Sequence, residues 1–402
     1  MTGASAKRMR AIDAVDGAEV LGITVLLLGL SWSEAAKSIG LALAVLALSV
    51  RLALGGRIRL PESRTLALLG CLLIAAALSV AVAQEDLSRP RELLTLAMTV
   101  VAFPLVFDVC ARRPSRRVLL TYTIIAGAAV GALLGYGEHM AGEYKRLVLP
   151  SIENAIPAGE YLAAVLGLGV AMVAAEGGAT VAGPALGFSV GLFSLVMVMT
   201  KSRGPLLGAG ASVLLAMAVG SARRRLAIVV GAALLSAVAL FGVLNPESRV
   251  VREGIVGSRS AVNRVKTWNE ALDRFAERPL VGHGAGSFPL LGIEFVDEIG
   301  REREQNAHNL LVHQLTETGI LGAGALVAFV VSALLDVVRA LRRSRRGVER
   351  AITVGCLAGA AALLVCGVFS VSLDAEPGIL FFALLALGAS AAGAATPAPG
   401  GS

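Results

Sequence analysis

The 402-residue chain is poor in charged and aromatic residues. Only 16% of its residues are Asp, Glu, Lys or Arg and 4% are Phe, Trp or Tyr, whereas 56% are hydrophobic. A soluble globular domain carries about 25% charged residues, so this composition excludes an ordinary soluble protein. The composition instead predicts a polytopic membrane protein.

Cysteine is also scarce. The four cysteines, Cys71, Cys110, Cys356 and Cys366, all fall within or beside apolar runs. None lies in the long polar stretch of the chain, which excludes a disulfide framework or a cysteine-based metal site there. We therefore predict that all four are small residues of the core.

Apolar runs of about 17 to 20 residues recur along the chain, each long enough to cross ~30 Å of hydrocarbon as a helix. Backbone groups in lipid must be satisfied within helices or a closed barrel, and continuous apolar runs exclude a barrel. The predicted fold class is all-α, with about twelve transmembrane helices and one large, partly helical loop. The predicted spans are 16–31, 37–54, 65–83, 93–110, 118–136, 158–175, 181–199, 204–220, 226–244, 319–338, 351–371 and 378–393.

The basic residues predict how the spans are oriented. The net charge of +7 comes from arginines concentrated in links between spans, which marks cytoplasmic links and not nucleic-acid binding. With a cytoplasmic N-terminus, 20 of the 36 basic residues lie inside and seven lie in short outer links. Both termini are then cytoplasmic. The N-terminal run is interpreted as the first span, with a cleaved signal peptide as the alternative.

This reading divides the chain into three regions. Residues 1–244 form an N-terminal bundle of nine spans, and residues 245–318 form the long polar loop, which faces outside. Residues 319–402 contain the last three spans and end in an Ala-Gly-Pro tail after Gly393 that is predicted to be disordered.

Arg203 follows Ser202 in the short link between the seventh and eighth predicted spans. An arginine there can simply reach from a helix end to the membrane interface. Alternatively, Ser202-Arg203-Gly204-Pro205 opens a helix whose free N–H groups and positive dipole end favour an anion. The local sequence leaves both readings open.

Arg264 lies on a predicted helix of the loop that closes at Pro279. The apolar residues Val265, Trp268 and Leu272 recur on it at three- and four-residue spacing, which predicts an amphipathic helix at the membrane surface or at the mouth of the bundle. Arg264 and Trp268 are four residues apart and share one face. Arg264 is either an interfacial anchor or a phosphate-binding arginine with bidentate geometry.

The loop also contains the glycine-rich stretch Gly282-His283-Gly284-Ala285-Gly286-Ser287. It follows a helix and lacks a terminal Lys-Ser/Thr pair, so it fits neither a Rossmann nor a P-loop pattern. We interpret the glycines as turn geometry, with a few N–H groups left available to an oxygen anion.

A second helix of the loop is predicted to begin with Asn306 as its N-cap, which places His308 in the first helical turn. The positive dipole end there favours the neutral imidazole that a general base needs. The alternative is a structural histidine. His313 and Glu317 lie on another face, with Asn309 four residues before His313. Spacings of five and then four do not bring His308, His313 and Glu317 together, so no metal site is expected.

Taken in order, these segments resemble the O-antigen ligase and O-antigen polymerase superfamily of bacterial membrane glycosyltransferases. The similarity extends from residue 199 to residue 322, while the N-terminal spans match only in being apolar. The segments that carry it are Ser202–Gly204, Arg264 with Trp268, Pro279–Phe288, Ala307–Leu310 and Glu317–Gly322.

The resemblance implies twelve spans in the bacterial inner membrane, with a large periplasmic loop after the ninth. It implies a metal-independent enzyme without a cofactor that transfers a glycan from an undecaprenyl-pyrophosphate carrier to a hydroxyl of a glycolipid or glycan acceptor. Carried over, Arg203 and Arg264 hold the pyrophosphate and His308 activates the acceptor. Supporting roles fall to Ser202, Trp268, Gly284, Asn309, His313 and Glu317.

Two departures from larger family members leave the identity of the acceptor open: the interval from Phe288 to His308 is short, and so is the C-terminal tail. A ligase is the leading interpretation and a polymerase of lipid-linked repeats is its nearest rival. A transporter or lipid flippase is the alternative from another class. That class commonly shows internal repeats, and none is visible here.

Overall fold

The computed structural model describes most of the chain, and its described part is overwhelmingly helical. The described residues are 3–84, 87, 89–144, 146–176, 182–219, 259–297, 300–303, 306–344 and 347–391. Thirteen α-helices and a short 3₁₀ helix, Phe288–Leu290, lie within these ranges. The α-helices are α1 Gly3–Gly29, α2 Glu34–Ala53, α3 Ser63–Ala81, α4 Pro90–Val100, α5 Ala102–Arg112, α6 Ser115–Met140, α7 Ala155–Glu176, α8 Ala182–Met199, α9 Arg203–Val219, α10 Arg259–Glu277, α11 Leu310–Arg343, α12 Val348–Cys366 and α13 Ala375–Ala389.

Seven of the helical segments that the structure describes are long and apolar enough to cross a membrane, with α4 and α5 counted together as Pro90–Arg112. The others are α2, α3, α6, α7, α11 and α12, and three shorter apolar helices lie at 183–199, 203–219 and 375–389. The predicted polytopic helical membrane protein is thus confirmed. The number twelve stays a prediction, and the ninth predicted span, residues 245–258 of the loop and the tail after Gly393 lie outside the described residues.

The all-α fold class is confirmed, and the structure adds one short hairpin to it. Two short strands, β1 Glu294–Asp297 and β2 Gly300–Arg303, pair antiparallel in the loop region, with Glu294 opposite Arg303. β1 contains Phe295 and Val296, which favour strands over helices. A four-residue strand is too short to show a clear periodicity in the sequence, so the sequence pattern did not predict it.

Close helix contacts hold the bundle together. A Cβ at Gly22 would lie 2.5 Å from the backbone nitrogen of Ala44, and one at Gly40 would lie 2.3 Å from that of Leu26. These glycines let α1 and α2 approach backbone to backbone, as small residues do in membrane helix pairs. Likewise, α7 is enclosed by α8, α9 and α12. The core prediction holds for Cys110, Cys356 and Cys366 but is wrong for Cys71, which is exposed on α3.

The bundle has two distinct ends. At one end, which we call the ion-pair end, Arg51 lies 3.0 Å from Glu19, and Arg112 lies 3.1 Å from Asp108 and 2.7 Å from Glu19. Arg116 pairs with Asp16 in the same cluster. The opposite end, where α2, α7, α9, α11 and α13 begin, is called the junction end below. The predicted site residues that the structure describes lie at the junction end or in the loop elements packed there.

Candidate active site

Helix α10 packs against the start of α11. Its Trp268 contacts the residue that precedes His308. The Trp268 indole Nε1 donates to the carbonyl of Ala307 at 2.8 Å, and Thr316 Oγ1 donates to the carbonyl of Ala271 at 3.1 Å. The indole N–H of a tryptophan removed from water usually finds such a partner, and Trp268 is partly buried here. The contact ties the helix that carries Arg264 to the residue immediately before His308.

Two residues of the predicted apolar stripe of α10 are exposed, Val265 by 51% and Leu272 by 40%. The small residue Ala271 is buried, and its carbonyl accepts from Thr316 of α11. An amphipathic helix packed by small residues leaves its larger apolar side chains outward, as interfacial helices do. α10 ends at Glu277, two residues before Pro279, because a proline disfavours helical geometry in the residue before it.

The predicted start of the second loop helix is wrong. Asn309 is the N-cap of α11 and accepts from the amide of Val312 at 3.0 Å. Asn306 instead accepts from the amide of His308 at 2.9 Å, which forms an Asx turn that competes with helix formation. His308 therefore lies just before the helix, with a left-handed φ of 48°. A non-glycine residue in this region marks a strained position, of the kind that clusters at functional sites.

α11 changes direction at Gly319, whose φ of 64° and ψ of −167° are not helical. The glycine turn, defined here as Pro279–Gly286, lies against this kink. The amide of Ile320 donates to the Pro279 carbonyl at 2.9 Å. A Cβ at Gly319 would lie 2.3 Å from the Leu280 carbonyl oxygen, so this contact requires glycine. The kink separates the loop portion of α11 from its long apolar portion.

The glycine turn is not an anion cradle, contrary to the prediction. The amide N–H groups of residues 282–288 all donate within the protein. Glu317 takes a large share: its carboxylate accepts from Gly286 at 2.9 Å and from Phe288 at 3.0 Å, and its backbone carbonyl accepts from Gly284 at 2.8 Å. A protein carboxylate thus occupies the position that the sequence left open for a substrate anion.

His313 supports this arrangement from inside. It is buried, its Nε2 lies 3.4 Å from a Glu317 carboxylate oxygen, and its ring packs at 5.1 Å from that of Phe288. The structure therefore places His313, Glu317 and Gly284 in the support of the glycine turn.

The start of α11 is bound to a turn between α12 and α13 that we call the connecting turn, residues 366–370. The amide of Leu310 donates to the Gly367 carbonyl at 2.8 Å, and the Asn309 side-chain amide donates to the Val368 carbonyl at 3.2 Å. Asn309 thus caps the helix with its oxygen and holds the connecting turn with its nitrogen. These contacts fix the backbone directly after His308.

The same connecting turn contacts the start of α9. The Cys366 thiol lies 3.7 Å from the Gly204 carbonyl oxygen, and a Cβ at Gly204 would lie 3.7 Å from that of Phe369. Gly204 follows Arg203, the first residue of α9. One short turn therefore touches the neighbour of Arg203 on one side and the neighbours of His308 on the other.

Two further acidic residues of this region were missed by the sequence reasoning. Glu160, on α7 and 1% exposed, accepts a hydrogen bond from Ser370 of the connecting turn. Asp374, just before α13, is exposed, yet desolvation by the surrounding protein raises its pKa to about 6, with His313 lowering the pKa and Glu317 raising it. Both lie at ends of apolar helices, where an acid gives no sequence pattern, so only the packing reveals them.

The three principal predicted residues thus share one region through their neighbours. Arg203 and His308 flank segments that meet at the connecting turn, and Arg264 lies one helical turn before the tryptophan that bonds beside His308. Their catalytic and binding roles stay predictions.

A comparison with known proteins matches this same part of the chain to a protein family. A family model described as O-Antigen ligase matches residues 188–327. The matched stretch contains Arg203, Arg264 and His308, and it nearly coincides with the segment on which the sequence resemblance rests. No curated protein matches this chain.

Proposed function

We propose that this chain, which matches the O-Antigen ligase family model over residues 188–327, is a membrane glycosyltransferase of the ligase type. It moves a glycan from an undecaprenyl-pyrophosphate carrier to an acceptor hydroxyl on the outer face of the bacterial inner membrane. The observation that carries the proposal is the convergence of the segments around Arg203, Arg264 and His308 at the junction end.

The bond changes of the reaction match these residue types. The acceptor oxygen attacks the anomeric carbon of the donor sugar, and the bond from that carbon to the pyrophosphate oxygen breaks. His308 takes the proton of the acceptor hydroxyl, a contribution worth about 10²–10⁴-fold in rate for a positioned base. The electron pair leaves with undecaprenyl pyrophosphate, and a single displacement inverts the anomeric centre.

Arg203 and Arg264 stabilise the leaving group. Negative charge grows on the pyrophosphate as the sugar departs, and guanidinium groups bind such oxygens in a bidentate manner that lysine cannot reproduce. Loss of one preorganised electrostatic contact of this kind costs roughly 3–4 kcal/mol in enzymes. The carrier supplies its own activated leaving group, so the reaction needs no ATP.

His308 suits the role of base through its backbone position. Because it lies between an Asx turn and the Asn309 cap, its backbone is held from both sides. Its left-handed φ turns the side chain away from the course it would take in a helical turn. Because His308 lies before the helix and not in its first turn, its proposed role as the base rests on this backbone position and not on the helix dipole.

The test is incubation of the purified full chain with an undecaprenyl-pyrophosphate-linked glycan and candidate acceptors, with EDTA present. We expect a new glycosidic linkage of inverted configuration, read by NMR, and release of undecaprenyl pyrophosphate. Carrier movement without a new bond would instead support a flippase, and dependence on a divalent metal would contradict the proposed chemistry.

The acceptor separates a ligase from a polymerase. A deletion strain that accumulates uncapped acceptor indicates a ligase, whereas one that displays single glycan repeats indicates a polymerase. The chain-length profile of the surface glycan gives this answer without knowledge of the sugar.

A further inference from the structure

Arg146 lies in the link between α6 and α7, far from the family motifs in sequence, and contacts three consecutive residues before Arg203. Its Nε donates to the Thr200 carbonyl at 2.9 Å, and its Nη2 donates to the Lys201 carbonyl at 3.1 Å and to Ser202 Oγ at 2.7 Å. One planar guanidinium thus holds the whole linker between α8 and α9.

The linker needs such a partner for two reasons. α8 ends at Met199, and the carbonyls to which Arg146 donates, those of Thr200 and Lys201, lie directly beyond it. A positive side chain at this position stabilises the negative end of the helix dipole. In addition, Lys201 has a left-handed φ of 54°, a strained conformation that persists only where surrounding contacts enforce it.

The adjacent residue strengthens the cap. The amide of Leu147 donates to the Met199 carbonyl at 3.3 Å, and Leu147 is fully buried. The buried leucine anchors the α6–α7 link, while the arginine beside it reaches across to the linker. The link therefore sets where α8 ends and where α9, with Arg203 at its first position, begins.

We propose that Arg146 is a positioning residue that holds the Thr200–Ser202 linker so that Arg203 meets the pyrophosphate of the donor. This inference rests on the proposed function and extends it to a residue outside the matched stretch 188–327. Lysine cannot replace Arg146, because a single ammonium lacks the fixed fork that reaches two carbonyls and a hydroxyl together.

The test uses undecaprenyl pyrophosphate as the probe, since every donor of this kind releases it whatever the sugar. Its dissociation constant is measured on the full chain in lipid nanodiscs for wild type, Arg146→Lys, Arg146→Ala and Arg203→Ala, and for each Arg146 variant combined with Arg203→Ala. We expect both Arg146 variants to bind about tenfold more weakly, since a misplaced binding group loses up to about 100-fold.

In the Arg203→Ala background, the same Arg146 substitutions should change binding by less than about twofold, because coupled residues are not additive. An equal loss in both backgrounds overturns the inference, since it indicates direct contact with the probe or general unfolding. Unchanged binding in the single variants overturns it as well. If wild type itself does not bind the probe, the proposed function fails first, and this outcome is distinct from both.

Arg350 provides the matched control. It donates to the carbonyls of Leu341 at 3.1 Å and Val219 at 3.4 Å, so it caps the other end of α9 with the same chemistry. Arg350→Ala is expected to lower the Tm without weakening binding of the probe. Weaker binding in this variant to the extent seen for Arg146→Ala would show that any lost helix cap has the same effect, and would overturn the assignment.

Discussion

The ion-pair end and the junction end of the bundle differ in the contacts that connect their helices. At the ion-pair end, three arginines and three carboxylates from four helices neutralise each other in a buried cluster: Arg51, Arg112 and Arg116 with Asp16, Glu19 and Asp108. At the junction end, residues that neighbour Arg203, Arg264 and His308 make the hydrogen bonds that hold these segments in place.

The comparison separates structural charge from reactive charge. The attraction within a buried ion pair offsets the cost of desolvating its two charges. Removing one partner therefore mainly lowers the stability of the fold. The contacts of the flanking residues remain when the side chain of Arg203, Arg264 or His308 is replaced, so we expect the loss to fall mainly on the reaction. The predictions below test this distinction.

The largest effect is expected at His308. His308→Ala should lower the rate of glycan transfer by about 10²–10⁴-fold, because the base that takes the acceptor proton is gone. Arg203→Ala and Arg264→Ala should act through the leaving group and reduce transfer by about 10²–10³-fold. Transfer and Tm are measured on the same purified samples.

His139→Ala is the matched control for these variants. His139 is near the end of α6, where its Nδ1 lies 3.0 Å from the Tyr144 carbonyl oxygen on the surface. The His139→Ala variant should transfer the glycan at the wild-type rate. If His308→Ala also retained full transfer at normal protein level, the site assignment would be wrong.

Arg51→Ala should show the reverse pattern. The substitution removes one arginine partner from each of the buried Glu19 and Asp108, and the loss of a partner from a buried ion pair destabilises a protein by about 3–5 kcal/mol. Transfer per folded molecule should stay near wild type, because the cluster lies at the end opposite the junction. Thermal unfolding and transfer at low temperature measure the two quantities.

Arg113 gives the control for Arg51. It lies next to the cluster in sequence but is exposed, and exposed charges contribute about 0–1 kcal/mol. Arg113→Ala should leave the Tm almost unchanged. A stable Arg51→Ala protein with impaired transfer would remove the contrast between the two ends.

Glu317→Gln should give an intermediate effect on both quantities. A carboxylate there accepts from two amides, whereas a glutamine turns an NH₂ group toward one of them and leaves a buried donor unpaired, at a cost of about 1–3 kcal/mol. The control is Glu277→Gln, since the Glu277 side chain is 52% exposed. Equal Tm shifts in the two variants would contradict the role of Glu317 in supporting the glycine turn.

The smallest effect concerns Asp374. Its pKa in the folded protein is about 6, above the ordinary value of about 3.9, so the folded state favours the neutral acid. The stability this group contributes is present below pH ~4 and is lost as the pH rises through about 6. The difference in Tm between wild type and Asp374→Asn should therefore change across that window, and a constant difference would contradict the shifted pKa.

Much of the fold followed from local sequence. Continuous apolar runs predicted helices, because the backbone groups of a single segment in lipid must be hydrogen-bonded within it. The bounds of α2, α3, α6 and α7 lie within a few residues of the predicted spans. The family resemblance also followed from short motifs in a fixed order, and the matching family model covers nearly the same residues.

The two errors have different physical causes. The start of α11 was misplaced because Asn306 and Asn309 are equally good caps by residue type, and the helix begins after the one whose oxygen meets the amide of Val312. The glycine turn was given free amides because its acceptor, Glu317, lies 31 residues away from Gly286. Hydrogen-bond partners that are remote in sequence leave no local pattern.

The sequence by itself predicted a helical membrane protein, a resemblance to the O-antigen ligase family and the residue types suited to pyrophosphate and acceptor. Only the tertiary structure decided which of those residues share a region, and that Arg146, Glu160 and Asp374 belong to its surroundings. The reason is that composition and periodicity act over one helix, whereas the candidate site requires groups of α7, α9 and α11 to meet at the connecting turn and α10 to pack against the start of α11.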